Sequence, residues 1–233
     1  GAPWKSILIF TLPMIIGNVA QQLYNTVDSI VVGKYIGDNA LAAVGSALPI
    51  VNMILVLFIG ISAGASIMVS QYFGAHKQDE LERSVGTCLT LTFIASVIIM
   101  IVGPIIIEPL MTLLDTPPDV HDMAVDYLTI IVLGILGTGY YNIVSGVLRG
   151  LGDSVTPLIF LIVACVLNIF LDLLFVIRFD MAAAGVALAT IISQIVSMVL
   201  VIICLMRNHQ CINIICHTPI CHKFITRITS CRF

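Results

Sequence analysis

Charge is what this chain has least of. Asp, Glu, Lys and Arg make up 10% of its 233 residues, against about 25% in ordinary soluble domains. No Lys or Arg falls inside any of the long apolar stretches. That shortage, with a mean hydropathy of +1.12, excludes a soluble globular domain. The apolar stretches lack the apolar/polar alternation of a membrane β-barrel. No nucleophile with a neighbouring base, phosphate-binding loop or zinc motif appears in or beside them, so no enzymatic activity is expected. Gly150-Leu-Gly152 is not a dinucleotide loop, because no strand precedes it. The seven cysteines include no C-x-x-C pair, which argues against a disulfide framework or a metal site. Cys88, Cys165 and Cys204 lie within or at the ends of apolar stretches, where Cys acts as a small apolar residue. No cofactor and no nucleic-acid partner are expected.

What the chain does have is hydrocarbon in long runs. About 20 helical residues cross the apolar core of a bilayer, and six stretches reach that length: 7–32, 47–73, 85–114, 122–148, 155–177 and 183–206. In lipid the backbone must satisfy its own hydrogen bonds, so these stretches are expected to be helices. The fold class is therefore an all-α membrane protein of six transmembrane helices. Lys and Arg favour the cytoplasmic side. Placing the N-terminus inside puts Lys5, Lys77, Arg83, Arg149, Arg207, Lys223, Arg227 and Arg232 there and leaves only Lys34 and Arg178 outside. Both ends are thus expected in the cytoplasm. Residues 1–207 form the six-span unit. Residues 208–233 change abruptly to a Cys/His/Ile/Thr mixture, which reads as a cytoplasmic tail, an out-of-frame product or a truncated linker.

Against this background the polar residues stand out. Asp28 and Asp172 each sit inside an apolar stretch. An ionisable group there costs about 2.5–3.5 kcal/mol on insertion scales and reads by default as a functional site. On the first helix Asn18, Gln21 or Gln22, Asn25 and Asp28 recur at steps of three to four. That spacing predicts one polar face, turned to the bundle interior or a water-filled cavity. The amides could equally bind helices together by hydrogen bonds. Pro13 removes a backbone hydrogen bond and is expected to bend the helix.

Farther along, Gly60 and Gly64 suggest close helix packing. The fourth stretch is rich in glycine and holds Tyr140 and Asn142, candidates for packing or for lining a cavity. Asn168 and Asp172 are one helical turn apart, so both side chains project to one side. An amide oxygen beside a carboxylate suits Na⁺ or a proton; the alternative is Asp172 snorkelling to the outer interface near Arg178 and Asp180. Thr190, Ser193 and Gln194 in the last stretch add polar groups able to complete a site.

Three segments resemble the multidrug and toxic compound extrusion (MATE) family. They are Pro13 with Gly17-Asn-Val-Ala-Gln-Gln-Leu-Tyr-Asn-Thr-Val-Asp28 and Leu41-Ala-Ala-Val-Gly45, then Arg149-Gly-Leu-Gly-Asp-Ser-Val-Thr-Pro157, then Asn168-Ile-Phe-Leu-Asp172 with Ala184-Gly-Val-Ala-Leu-Ala-Thr190. The likeness covers about residues 5–207. It implies one six-helix lobe of a two-lobed (6+6) transporter, the N-terminal one. It also implies an antiporter that exports amphipathic or cationic drugs and toxic compounds against an inward flow of Na⁺ or H⁺. Asp28, Asn168, Asp172 and Thr190 stand at the family's coupling positions, and Pro13 at its helix-bending position. The implied surroundings are a cell membrane, specifically a bacterial inner membrane, with lipid and either a missing C-terminal lobe or a second copy as partner. Two other readings are a flippase for lipid-linked oligosaccharides and a non-transporting membrane fragment or interaction module. The absence of mid-span Lys or Arg counts against the flippase, whose pyrophosphate cargo needs a basic cavity.

Overall fold

The computed structural model describes residues 3–179 and 181–207; the Cys/His-containing segment 208–233 lies outside the described residues. Among the described residues seven α-helices follow one another: α1 (Pro3–Tyr35), α2 (Asp38–Gly74), α3 (Gln78–Leu113), α4 (Pro118–Leu133), α5 (Ile135–Gly150), α6 (Val155–Leu173) and α7 (Ala183–Arg207). A π-helical turn, Leu174–Arg178, continues α6. Among the described residues, four helices are long and apolar enough to cross a membrane, and five if the α4–α5 pair counts as one bent span.

The connections are short and their residues explain them. Gly37, at φ 115°, takes the left-handed turn from α1 into α2, a conformation that costs glycine little. Asp79 and Glu80 occupy the first turn of α3, where carboxylates complement the positive end of the helix dipole. Pro118 begins α4, a position with no intrahelical N–H to lose. Asp153 accepts hydrogen bonds from the Val155 and Thr156 amides at 3.1 and 3.0 Å, so it caps α6. Asp153→Ala is expected to cost about 1 kcal/mol, read as a lower midpoint in thermal unfolding of the detergent-solubilised chain.

The stretch expected as one helix over 122–148 is broken. At Gly134 the chain bends by 49° between α4 and α5. The Gly134 amide is shared between the carbonyls of Ile130 and Ile131, and Gly137 N–H bonds only three residues back to Gly134. Those tightened bonds end one helix and start the next. Inside a bilayer such a break is tolerated where neighbouring protein covers it, and α7 does so here.

Two apolar clusters hold the bundle together. One joins Val32, Ala43, Met111, Leu128 and Val186; the other joins Val69, Leu81, Ile143, Leu148 and Val201. Large apolar side chains also cover the outside, including Met53, Ile105 and Leu113, which is what a lipid-facing surface requires. The closest approach of α2 to α5 is at Gly146 and Gly150, which lie against Ser62 and the Ser66 carbonyl. Gly60 and Gly64, expected to pack, instead face open space with nothing within 4 Å.

Candidate functional site

Four helices bring polar side chains to one buried spot. From α1 come Tyr24 and Asp28, one turn apart; from α4, Tyr127; from α6, Asn168 and Asp172; from α7, Thr190. Asn168 and Asp172 are completely shielded, at 0% exposure. The Asp172 side chain is thus shut inside the bundle and does not reach its surface, as snorkelling would require.

Thr190 is the junction. A threonine hydroxyl has one proton and two lone pairs. Its Oγ1 donates to the Val186 carbonyl at 3.0 Å and accepts from Asn168 Nδ2 at 3.4 Å. The Tyr24 hydroxyl lies 3.1 Å away; with the threonine proton committed, Tyr24 is the donor. These bonds tie α1, α6 and α7 together. The Asp28 and Asp172 carboxyl groups lie beside one another and interact electrostatically. No well-formed hydrogen bond joins them: Asp28 Oδ1 and both Asp172 oxygens are unpartnered, as is Asn168 Oδ1. Tyr127 is close enough to feel both carboxyl charges. The result is a cluster of four buried carboxyl and amide oxygens without a hydrogen-bond partner. Buried polar atoms are nearly always paired, so this set fits a bound hard cation, which takes oxygen ligands, or a proton.

Among the described residues no group of three or more His, Cys, Asp or Glu could hold a metal ion. An oxygen set of two carboxylates and an amide falls outside that type of site.

The expected polar face of α1 is spread round the helix. Successive helical residues turn by about 100°, so Gln22 lies about 120° round the helix from Asp28 and Asn18 about 80° from it, with Asn25 midway between Gln22 and Asp28. Asn18, Gln22 and Asn25 are exposed, Gln21 and Asp28 half-buried. Asn18 and Gln22 lie with Ile15, Val19, Leu23 and Thr26 along one open face of α1, a shallow groove of about 330 Å³ walled by that helix alone. Asn25 donates to Gln22 Oε1 at 3.4 Å. Tyr140, Asn142 and Gln194 are half-buried and line neither this groove nor the oxygen cluster. Asn142 Nδ2 is used within α5, bonding the Thr138 carbonyl at 2.8 Å. α1 runs through Pro13 as one helix. Tyr24 and Tyr127 were not singled out from the sequence. The one available signal was Tyr24's position a turn before Asp28; for Tyr127 there was none.

The MatE family model matches residues 13–174. The chain is 33% identical over 209 residues to a probable multidrug resistance protein, YoeA, of Bacillus subtilis, covering 88% of this chain and 45% of that protein. It is 35% identical over 190 residues to a second, YpnP, of the same organism, covering 82% and 43%. A crystal structure of a MATE protein in its bent conformation superposes with a TM-score of 0.84 at 29% identity, over 89% of this chain and 47% of that one. The chain spans less than half the length of these proteins. It belongs to the MATE family, as a multi-pass membrane protein with the helical arrangement of that family's transporters.

Proposed function

We propose that the chain is the N-terminal lobe of a cation-coupled multidrug antiporter. The observation that carries this reading is the cluster of unpartnered buried oxygens on Asp28, Asn168 and Asp172, bridged through Thr190 to Tyr24. Two adjacent carboxylates repel when both are ionised in a medium of low dielectric. A Na⁺ or a proton between them relieves that repulsion, so occupancy by the coupling ion changes the force between α1 and α6. Asp28 moves with α1, and Pro13 is the place where that helix can bend in response. The bend reshapes the groove at Asn18 and Gln22.

The lobe supplies α1, α2, α3, the bent α4–α5 pair, α6 and α7 as six spans with both ends in the cytoplasm. Transporters commonly bind substrate between their repeats. The other wall of the cavity comes from a C-terminal lobe or a second copy. The groove side chains are neutral amides, a hydroxyl and aliphatics, which suits amphipathic or cationic drugs and toxic compounds and not a pyrophosphate-linked lipid. A bacterial cell membrane is the expected setting, and Na⁺ or H⁺ is the sole small partner besides substrate and lipid.

The test is gradient-driven accumulation of a cationic dye in everted vesicles carrying the chain, alone and together with a partner lobe. Accumulation should stop when the Na⁺ or proton gradient is collapsed. Dye movement indifferent to both gradients would remove the antiport reading.

A further inference from the structure

The break at Gly134 lies against the helix that carries Thr190. A Cβ placed on Gly134 would fall within 2.5 Å of Ile191 Cγ2, and closer still to that side chain's Cγ1 and Cδ1. Gly134 has φ −93°, which any residue can adopt. Space, not backbone conformation, is what requires glycine here. One turn on, a Cβ on Gly137 would come 2.9 Å from Ile195 Cγ1 and 3.4 Å from the Ile195 amide nitrogen. Two residues of α7 four apart thus seat into two glycines three apart across the bend.

Both partners of this seat also carry a residue of the oxygen cluster. Ile191 follows Thr190 directly on α7. On α4, Tyr127 and Gly134 are seven residues apart, two turns along the same face. β-Branched isoleucine has one strongly preferred χ1 in a helix, so Ile191 cannot swing aside cheaply. A methyl at Gly134 must push α7 away from the bend. That displacement moves the Thr190 hydroxyl relative to Tyr24 and Asn168, to which it bonds at 3.1 and 3.4 Å.

We propose that Gly134 and Ile191 are positioning residues for the ion site: the side-chain-free notch at the α4–α5 break sets the seating of α7, and thereby holds Thr190 in register with Tyr24, Asn168 and the two carboxylates. The inference rests on the cation-coupling reading for its consequence and on the packing for its geometry. The bend in the membrane span is then a built part of the site, its glycine present to let α7 in.

The test uses the full chain in detergent with two readouts. In a background whose seven native cysteines are replaced by alanine, the pair Tyr24→Cys and Thr190→Cys reports the α1–α7 distance through its rate of cross-linking by a bifunctional thiol reagent that spans the space left by the Tyr24 ring. Separately, without that pair, the NaCl concentration giving half-maximal thermal stabilisation reports the ion site, with choline chloride as control and pH varied in parallel. Gly134→Ala should slow cross-linking and raise the NaCl midpoint, or shift the pH response, by about tenfold or more, the scale of an ångström-sized misplacement. Adding Ile191→Ala to Gly134→Ala should recover both, because the smaller side chain makes room for the new methyl. Unchanged cross-linking in a folded Gly134→Ala chain overturns the proposal. If Gly134→Ala alone does not fold, the double variant decides: failure to recover folding and cross-linking overturns it equally. A parent chain indifferent to NaCl and pH would count against cation coupling, while the cross-linking rate would still decide the place of Gly134.

Discussion

Asp172→Asn should abolish gradient-coupled efflux while leaving the protein at least as stable as the parent. The two halves of that result have one cause. Asp172 is fully buried and neither of its carboxyl oxygens has a hydrogen-bond partner. A buried charge without compensation is a cost to folding, and asparagine keeps the shape while removing the charge. For stability, then, the substitution is neutral or favourable. For coupling it removes half of the charge that would hold a Na⁺ or exchange a proton. Asp28→Asn should have the same effect on efflux, because the two carboxyl groups interact directly. Groups that act as a unit are strongly non-additive, so the double substitution should be no worse than either single one. The measurement is dye accumulation in everted vesicles, the direction that corresponds to export from the cell, at matched protein level, with thermal unfolding alongside. Undiminished coupled efflux in Asp172→Asn would remove the carboxylate pair from the mechanism, whatever the stability showed.

A smaller effect is expected at Tyr24, and it illustrates what could be read in advance. The acids were visible because a carboxylate in hydrocarbon is an anomaly at the level of single residues. Asn168 and Thr190 followed from spacing and from resemblance. Tyr24 was invisible for the opposite reason: a tyrosine in a membrane helix is ordinary, and only its 3.1 Å approach to Thr190 marks it. Helix existence was legible from the length of apolar runs. Helix phase was harder. Gln22 lies about 120° round the helix from Asp28, with Asn25 between them, and a count of three-to-four steps smears that rotation. The break at Gly134 was hidden for a third reason. Several glycines in one span permit a bend, but which of them bends depends on Ile191, more than fifty positions away in the chain.

Glycines also supply the largest expected loss of stability. Gly146→Leu should destabilise the chain by about 3 kcal/mol or more, the upper range for overpacking. Already at Cβ the new side chain would lie 2.6 Å from the Ser62 carbonyl oxygen. That oxygen belongs to the backbone of α2, so no rotamer change relieves the contact and the helices must separate. Separation breaks the Ser62 hydroxyl's 2.7 Å hydrogen bond to the Asn142 carbonyl. It also draws Ser62 away from Arg149, whose guanidinium donates to the same hydroxyl at 3.2 Å. Gly150, one turn on and 2.7 Å from the Ser66 carbonyl by the same construction, would be pulled out of contact as well. The control is on the facing helix. Gly60 and Gly64 have the same four-residue spacing, yet a Cβ on either meets nothing within 4 Å. Gly60→Leu should therefore leave this chain's stability unchanged or raise it by up to about 1 kcal/mol through helix propensity. Thermal unfolding of both variants in one detergent separates the cases. A Gly146→Leu chain as stable as Gly60→Leu would mean that α2 and α5 do not meet at Ser62.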